Sequence, residues 1–166
     1  MAPSPTMIRP AEPDDVTAIV ALIRELADYE RLQDEVEASP ESLKEHLFGA
    51  NPYCSGLVAR EGGDNGDIVG YALFYPCYSS FKTLPSLFLE DLYVTPSARG
   101  QGHGKALLKA VAAVAKERGA ARMDWNVLDW NQPAIEFYQA LGAQVLGDWR
   151  VCRIDGEALE RLAAGQ

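Results

Sequence analysis

The sequence predicts an α/β fold, a mixed β-sheet covered by helices. Two observations carry this. Apolar runs of strand length alternate with stretches of helical period, in the order strand, two helices, three strands, helix, strand, helix, two strands. After residue 86 the pattern becomes strand–helix–strand, a unit that pairs its strands in parallel through a right-handed crossover. The 166 residues are 48% hydrophobic, enough for one domain with a sizeable core, and a single domain over 1–166 is expected.

MIRPAEPDD (7–15) opens with a short strand and then offers Pro13 and Asp14 as a helix start. Val16, Ile19, Val20, Ile23 and Leu26 follow at helical spacing. Arg24, Glu25 and Asp28 fall opposite, so an amphipathic helix should end near Tyr29 and Glu30. Ser39 and Pro40, a cap and a first-turn proline, begin a shorter helix that runs to about Phe48. YCSGLVARE (53–61) and DIVGYALFYPCYSS (67–80) read as strands, and the turn GGDNGD between them makes a hairpin. SLFLEDLYV (86–94) is a third apolar strand, closed by Thr95 and Pro96.

The helix that follows should bury Leu107, Leu108, Val111 and Val114 and end at Arg118 and Gly119. RMDWNVL (122–128) reads as a strand. Asn131 and Pro133 open another helix with Ile135, Tyr138 and Leu141 inward and Gly142 as its stop. AQVLG (143–147) and WRVCRI (149–154) are expected as final strands, ahead of a short terminal helix.

Charge and cysteine usage narrow the function classes. Net charge is −9, from 24 acidic against 15 basic residues, which disfavours a nucleic-acid partner. An acidic surface suits a cationic substrate or serves solubility. Cys54, Cys77 and Cys152 have no CxxC spacing and are odd in number, so no full disulfide framework is expected. They sit in apolar, strand-like settings without a histidine at useful spacing, which reads as buried bystanders rather than acyl carriers. His46 and His103 stand far apart, without a metal-ligand partner nearby, so no metal site is expected. MAPSPTMIRP has neither a basic stretch nor an apolar run, and no apolar segment approaches 18 residues. The expectation is a cytoplasmic protein with no signal peptide and no membrane span.

The motif that carries chemistry is RGQGHG (99–104), three glycines in five positions just where a helix must start. A helix start has four free N–H groups and the positive end of the peptide dipoles. Gly100, Gly102 and Gly104 keep it uncovered, and Arg99 adds a cation with donors shaped for phosphate. Such a turn would hold a diphosphate. It is neither a nucleotide P-loop nor a G-x-G-x-x-G dinucleotide fingerprint, and an ordinary turn is the plain alternative.

This segment resembles the R-x-x-G-x-G coenzyme A motif of the GCN5-related N-acetyltransferases (GNAT), here Arg99, Gly102 and Gly104. IRPAEPDD, ELADYE, LFLEDLYV, WNVLDWNQPAIEFYQALGA and DWRVCRIDGEAL lie in the order seen in the spermidine/spermine acetyltransferases, the diamine and polyamine branch that includes the thialysine acetyltransferases. The similarity runs from about Ile8 to Leu159. It implies the acyl-CoA N-acyltransferase fold and transfer of acetyl from acetyl-CoA, with coenzyme A as product, to a small diamine, polyamine or lysine-like amino acid. The implied route is direct attack in a ternary complex. Acetylation of protein lysine or another amine, and non-catalytic acyl-CoA binding, remain the alternatives. A homodimer is expected because the family is commonly dimeric.

The resemblance also implies roles residue by residue. Acetyl-CoA would be bound by Arg99, Gly100, Gln101, Gly102, His103, Gly104, Lys105 and Asn131, with the backbone N–H groups near Leu92 and Val94 polarising the thioester carbonyl. Tyr138 would be the general acid beside the coenzyme sulfur; on residues alone it is equally a core or edge tyrosine. Glu90 would be the general base through a water. Asp91 would be a second anionic substrate contact or a structural acceptor. Adjacent strand residues point to opposite faces, so at most one of Glu90 and Asp91 should face inward. Tyr29, Glu30 and Trp149 would line the amine end; a helix-end tyrosine and a core tryptophan are the plain alternatives. Two residues depart from the pattern. His103 replaces a small or aliphatic residue and is expected to face solvent, and Asp148 replaces a glycine.

Overall fold

The computed structural model describes residues 6–63 and 65–165. The expectation of no leader rests partly on residues 1–5, and the GGDNGD turn includes Asp64; both lie outside the described residues. The chain forms two compact units, Met1–Asn126 and Val127–Gln166.

The first unit carries a five-stranded mixed sheet in the order β1-β2-β3-β4-β5. β1 (Thr6–Pro10), β2 (Ser55–Glu61), β3 (Asp67–Ser79) and β4 (Leu84–Val94) pair antiparallel in turn. The hairpin read from the glycine turn is the β2–β3 pair, which begins at Glu61↔Asp67. β5 is much shorter than the RMDWNVL run suggested. It comprises Met123–Asp124, pairs parallel to Leu87 and Phe88, and completes the strand–helix–strand unit with β4 and α3 (His103–Glu117).

Helix α1 (Val16–Glu30) forms where the apolar stripe places it, after a 3-10 turn at Pro13–Asp15. Val16, Ile19 and Val20 are buried, joined by Leu22 and Ala27, while Arg24, Glu25 and Asp28 stay exposed. The helix stops at Arg31, whose backbone turns left-handed at φ 62° while its N–H closes on Asp28 and Ala27 carbonyls. In α2 (Pro40–Phe48) the Ser39 hydroxyl accepts from the Ser42 N–H at 3.2 Å, the expected cap.

Strand alternation divides the core. Tyr71 and Leu73 of β3 join Ile19 and Leu22 of α1, Leu47 of α2, Val58 and Tyr93 in one buried cluster. On the opposite face α3 packs close to β3 at Gly70, where a Cβ would come within 2.7 Å of the Tyr93 carbonyl and 3.4 Å of Leu107. Leu107, Leu108, Val111 and Ala115 fill the buried side of α3, with Val114 half-buried.

The second unit holds α4 (Gln132–Ala140) and α5 (Gly156–Ala163). The two final strands expected at 143–147 and 149–154 do not form. An apolar run becomes a strand only where a ladder partner takes its N–H and C=O groups, and within this unit none is paired to it. Val145, Leu146, Trp149 and Val151 are exposed there, and so is Cys152, which was expected to be buried.

Candidate active site

The first unit builds its site along the outgoing half of β4 and the start of α3. The register between β3 and β4 slips once. Leu73 faces Asp91 and Phe74 faces Leu89, so Glu90 is the extra residue of a β-bulge. Cross-strand partners share a face. Tyr71 with Tyr93, Leu73 with Asp91 and Tyr75 with Phe88 therefore lie on the α1 side, and Glu90, two residues after Phe88, joins them. The two carboxylates share a face instead of alternating, because the bulge interrupts the alternation, and of the two only Asp91 is drawn inward.

Each carboxylate has a tyrosine. The Tyr71 hydroxyl donates to Asp91 Oδ2 at 3.0 Å, and Tyr75 hydrogen-bonds Glu90. Glu90 is exposed, whereas Asp91 is half-buried. Burial pushes the Asp91 carboxyl up to about 6; the charges of Glu90 and Glu30 add to this, and the bond from Tyr71 opposes it. Burial also raises the Glu30 carboxyl. The phenols stay protonated: burial and Asp91 hold Tyr71 well above its ordinary value, and burial and Glu90 push Tyr75 up to about 12. Burial, and then the charges of Glu90 and Asp91, raise the Cys54 thiol. A thiol held protonated is a poor nucleophile, in keeping with its reading as a bystander.

The β5 ladder ends at Phe88↔Asp124. Beyond it, β4 from Leu89 to Val94, including Leu92 and Val94, has no ladder partner on that side of the sheet among the described residues. This open main-chain edge leads into the glycine turn. Gly100 and Gly102 adopt φ 77° and 92°, and a Cβ at either would meet nothing within 4 Å. The turn therefore needs glycine for its backbone and is open on its outer side. Gly102 is the N-cap of α3, and the first N–H to bond back is that of Ala106, to the Gly102 carbonyl at 2.9 Å. The N–H groups of His103, Gly104 and Lys105 precede it in the free first turn. Gln101 and Lys105 are exposed beside them. These features fit an anionic diphosphate such as that of acetyl-CoA.

Arg99 is anchored before any ligand arrives. Its Nε donates to the Val94 carbonyl at 2.9 Å, and its guanidinium lies 5.1 Å from the Tyr29 ring centroid and 5.3 Å from that of Tyr93. The Tyr93 hydroxyl donates to Glu25 Oε2 at 3.3 Å. Tyr29, expected at the amine end, braces the arginine of the glycine turn. Glu30, its neighbour, is the residue whose charge reaches Asp91.

His103 corrects the sequence reading. It does not face solvent: it is 1% exposed, and neither ring nitrogen has a hydrogen-bond partner. The cause is helical spacing, because residues 103, 107 and 111 form one stripe and Leu107 and Val111 are fully buried.

The second unit carries the remaining expected residues. Asn131 is buried and caps α4, its Oδ1 accepting from the Ala134 N–H at 3.4 Å. Tyr138 is half-buried, with its ring 5.2 Å from that of Phe137. Trp149 is 76% exposed, so it is not a core tryptophan. Tyr71 and Tyr93 escaped the sequence reading. Their signal was a phenol at alternate positions of otherwise apolar strands, each of which must find an acceptor once buried.

Residues 19–143 match the Acetyltransferase (GNAT) family. The chain is 44% identical over 165 residues to a thialysine N-epsilon-acetyltransferase of Bos taurus, across 95% of this chain and 96% of that protein. It is 32% identical to an L-ornithine N5-acetyltransferase of Arabidopsis thaliana, across 93% and 86%. An integron cassette protein from the mobile metagenome of V. cholerae superposes with a TM-score of 0.77 at 26% identity, across 95% and 97%. With an open glycine turn, a braced arginine and a carboxylate-bearing bulge at its centre, the chain belongs to the GNAT family of N-acetyltransferases, in the diamine and thialysine acetyltransferase branch.

Proposed function

We propose that the enzyme acetylates a primary amine of a small lysine-like amino acid, diamine or polyamine, by direct attack with both substrates bound. The observation that carries this is the β4 bulge, where Glu90 and Asp91 share one face of the sheet with Glu30 close enough to act on Asp91. Three carboxylates suit a substrate with a second amine that is protonated at neutral pH. The names of the relatives support the same class, since thialysine and L-ornithine both carry a side-chain amine besides the α-amine.

Acetyl-CoA, when bound, supplies the activated acetyl thioester and leaves as coenzyme A. Arg99 and the N–H groups of 100–105 would hold it, along with Asn131. The N–H groups near Leu92 and Val94 would face the thioester carbonyl oxygen as donors. Glu90 would take the amine's proton through a water, and the Tyr138 hydroxyl would hold the proton the thiolate needs. Tyr29, Asp91 and Trp149 complete the amine end.

Thiol release from acetyl-CoA across thialysine, lysine, ornithine, putrescine, spermidine and a lysine peptide tests the reading. The free diamino compounds should exceed the peptide in kcat/KM by at least about tenfold, roughly one additional close charge contact. Absence of thiol release with every one of these amines, while calorimetry still shows acetyl-CoA binding, would leave a non-catalytic binder. Tyr138→Phe should lower the single-turnover rate by roughly tenfold to a thousandfold without changing acetyl-CoA affinity.

We also propose a homodimer and a cytoplasmic location. Exposed Leu146, Trp149 and Val151 support a partner surface. Sedimentation equilibrium and cell fractionation test the two points.

A further inference from the structure

We infer that Tyr71 is a positioning residue of the amine site: its buried hydroxyl holds Asp91 at the β4 bulge as a carboxylate that shares with Glu90 the proton the amine must lose. The inference rests on the proposed acetyl transfer to a cationic amine.

Tyr71 is fully buried in the core cluster, where phenylalanine would pack as well. A buried phenol needs an acceptor, and the hydroxyl donates to Asp91 Oδ2. Asp91 sits beside the bulge, so this bond fixes a carboxylate next to the residue that leaves the ladder. The titratable groups that face it are Tyr71 on β3, Glu30 on α1, Cys54 just before β2, and Glu90 with Tyr93 on β4 itself. Burial pushes Asp91 toward its protonated form most, and the negative charges of Glu90 and Glu30 add to it. The bond from Tyr71 opposes them by stabilising the charged form. The resulting proton affinity, near pH 6, lets Asp91 be ionised at neutral pH and still accept a proton effectively.

The step balances without any redox partner. An N–H bond of the ammonium breaks and its electron pair stays on nitrogen. An O–H bond forms on the carboxylate, directly or through an intervening water that passes one proton on as it receives another. Tyr71 keeps its own proton, since burial and Asp91 hold it well above its ordinary value.

Two readouts test this on the intact protein. Carboxyl 13C NMR of the free enzyme follows the Asp91 titration, and kcat/KM against pH follows the acid limb. Tyr71→Phe removes the bond that favours the anion, so both midpoints should rise by about one unit. Activity below the limb should then fall about tenfold, with the plateau within about threefold of the parent. In an Asp91→Asn background the same substitution should leave the pH profile where Asp91→Asn alone puts it, which guards against a general loss of packing. An unmoved Asp91 midpoint in folded Tyr71→Phe overturns the role of Tyr71 and leaves the proposed function standing. Parental kcat/KM at every pH in both Glu90→Gln and Asp91→Asn overturns the carboxylate base, and the inference falls with it.

Discussion

The guanidinium of Arg99 lies over the ring of Tyr29, 5.1 Å from its centroid, at the point where the end of α1 meets the glycine turn. With Tyr93 on the other contact and the Val94 carbonyl on Nε, the arginine is held by the protein itself. Preorganisation of this kind lowers the entropy lost on binding.

Tyr29→Leu should therefore weaken acetyl-CoA binding by about two- to fivefold, the equivalent of one exposed cation–π contact of about 0.5–1 kcal/mol. Calorimetry with acetyl-CoA checks this. Unchanged acetyl-CoA affinity with a raised KM for the amine would return Tyr29 to the amine end alone.

His103→Leu should stabilise the fold. The substitution keeps the buried stripe with Leu107 and Val111 and removes two ring nitrogens that have no partner. A gain of about 1 kcal/mol is expected, roughly 2–4 °C in Tm for a chain of this size. Acetyl-CoA affinity should be unchanged, because the turn contributes its main chain and not this ring. A lower Tm would show that the imidazole is bonded.

Asp15 ties the first strand to the first helix and gives stability an acid limit. Burial raises its carboxyl, but hydrogen bonds from Arg9 at 2.6 and 2.8 Å and from the Glu12 N–H, with the charges of Arg9 and Arg60, outweigh burial and hold it below 3.8. A depressed folded value contributes stability that is present above the unfolded value and lost as pH falls through the folded one. Chemical denaturation between pH 7 and 3 should show this loss below about pH 4. Asp15→Asn should cost about 3 kcal/mol at pH 7 and flatten that slope, because Arg9 loses the buried carboxylate it pairs with at 2.6 Å and keeps the exposed Glu12 at 3.8 Å. An equal slope in parent and variant would place the acid sensitivity elsewhere.

The elements whose signal is local were legible in the sequence. α1 follows from Val16, Ile19 and Val20 at helical spacing, α2 from Ser39 and Pro40, and the glycine turn from Gly100 and Gly102, which adopt positive φ. What was hidden depends on partners distant in sequence. The Glu90 bulge arises from register against Phe74, which no alternation within 86–94 can show. His103 reads as polar, yet helical phase places it in the core. The runs at 143–147 and 149–154 have strand composition but no ladder partner in their unit, so composition alone misled.

The central claim is that the carboxylates at the bulge select a cationic amine. The most direct test is kcat/KM for a diamine against a monoamine of equal chain length, at low and high salt. With Glu30, Glu90 and Asp91 acting together, the diamine should be preferred about tenfold or more at low salt, and the ratio should shrink as salt screens the attraction. Equal kcat/KM for the two amines at both salt concentrations would contradict the account.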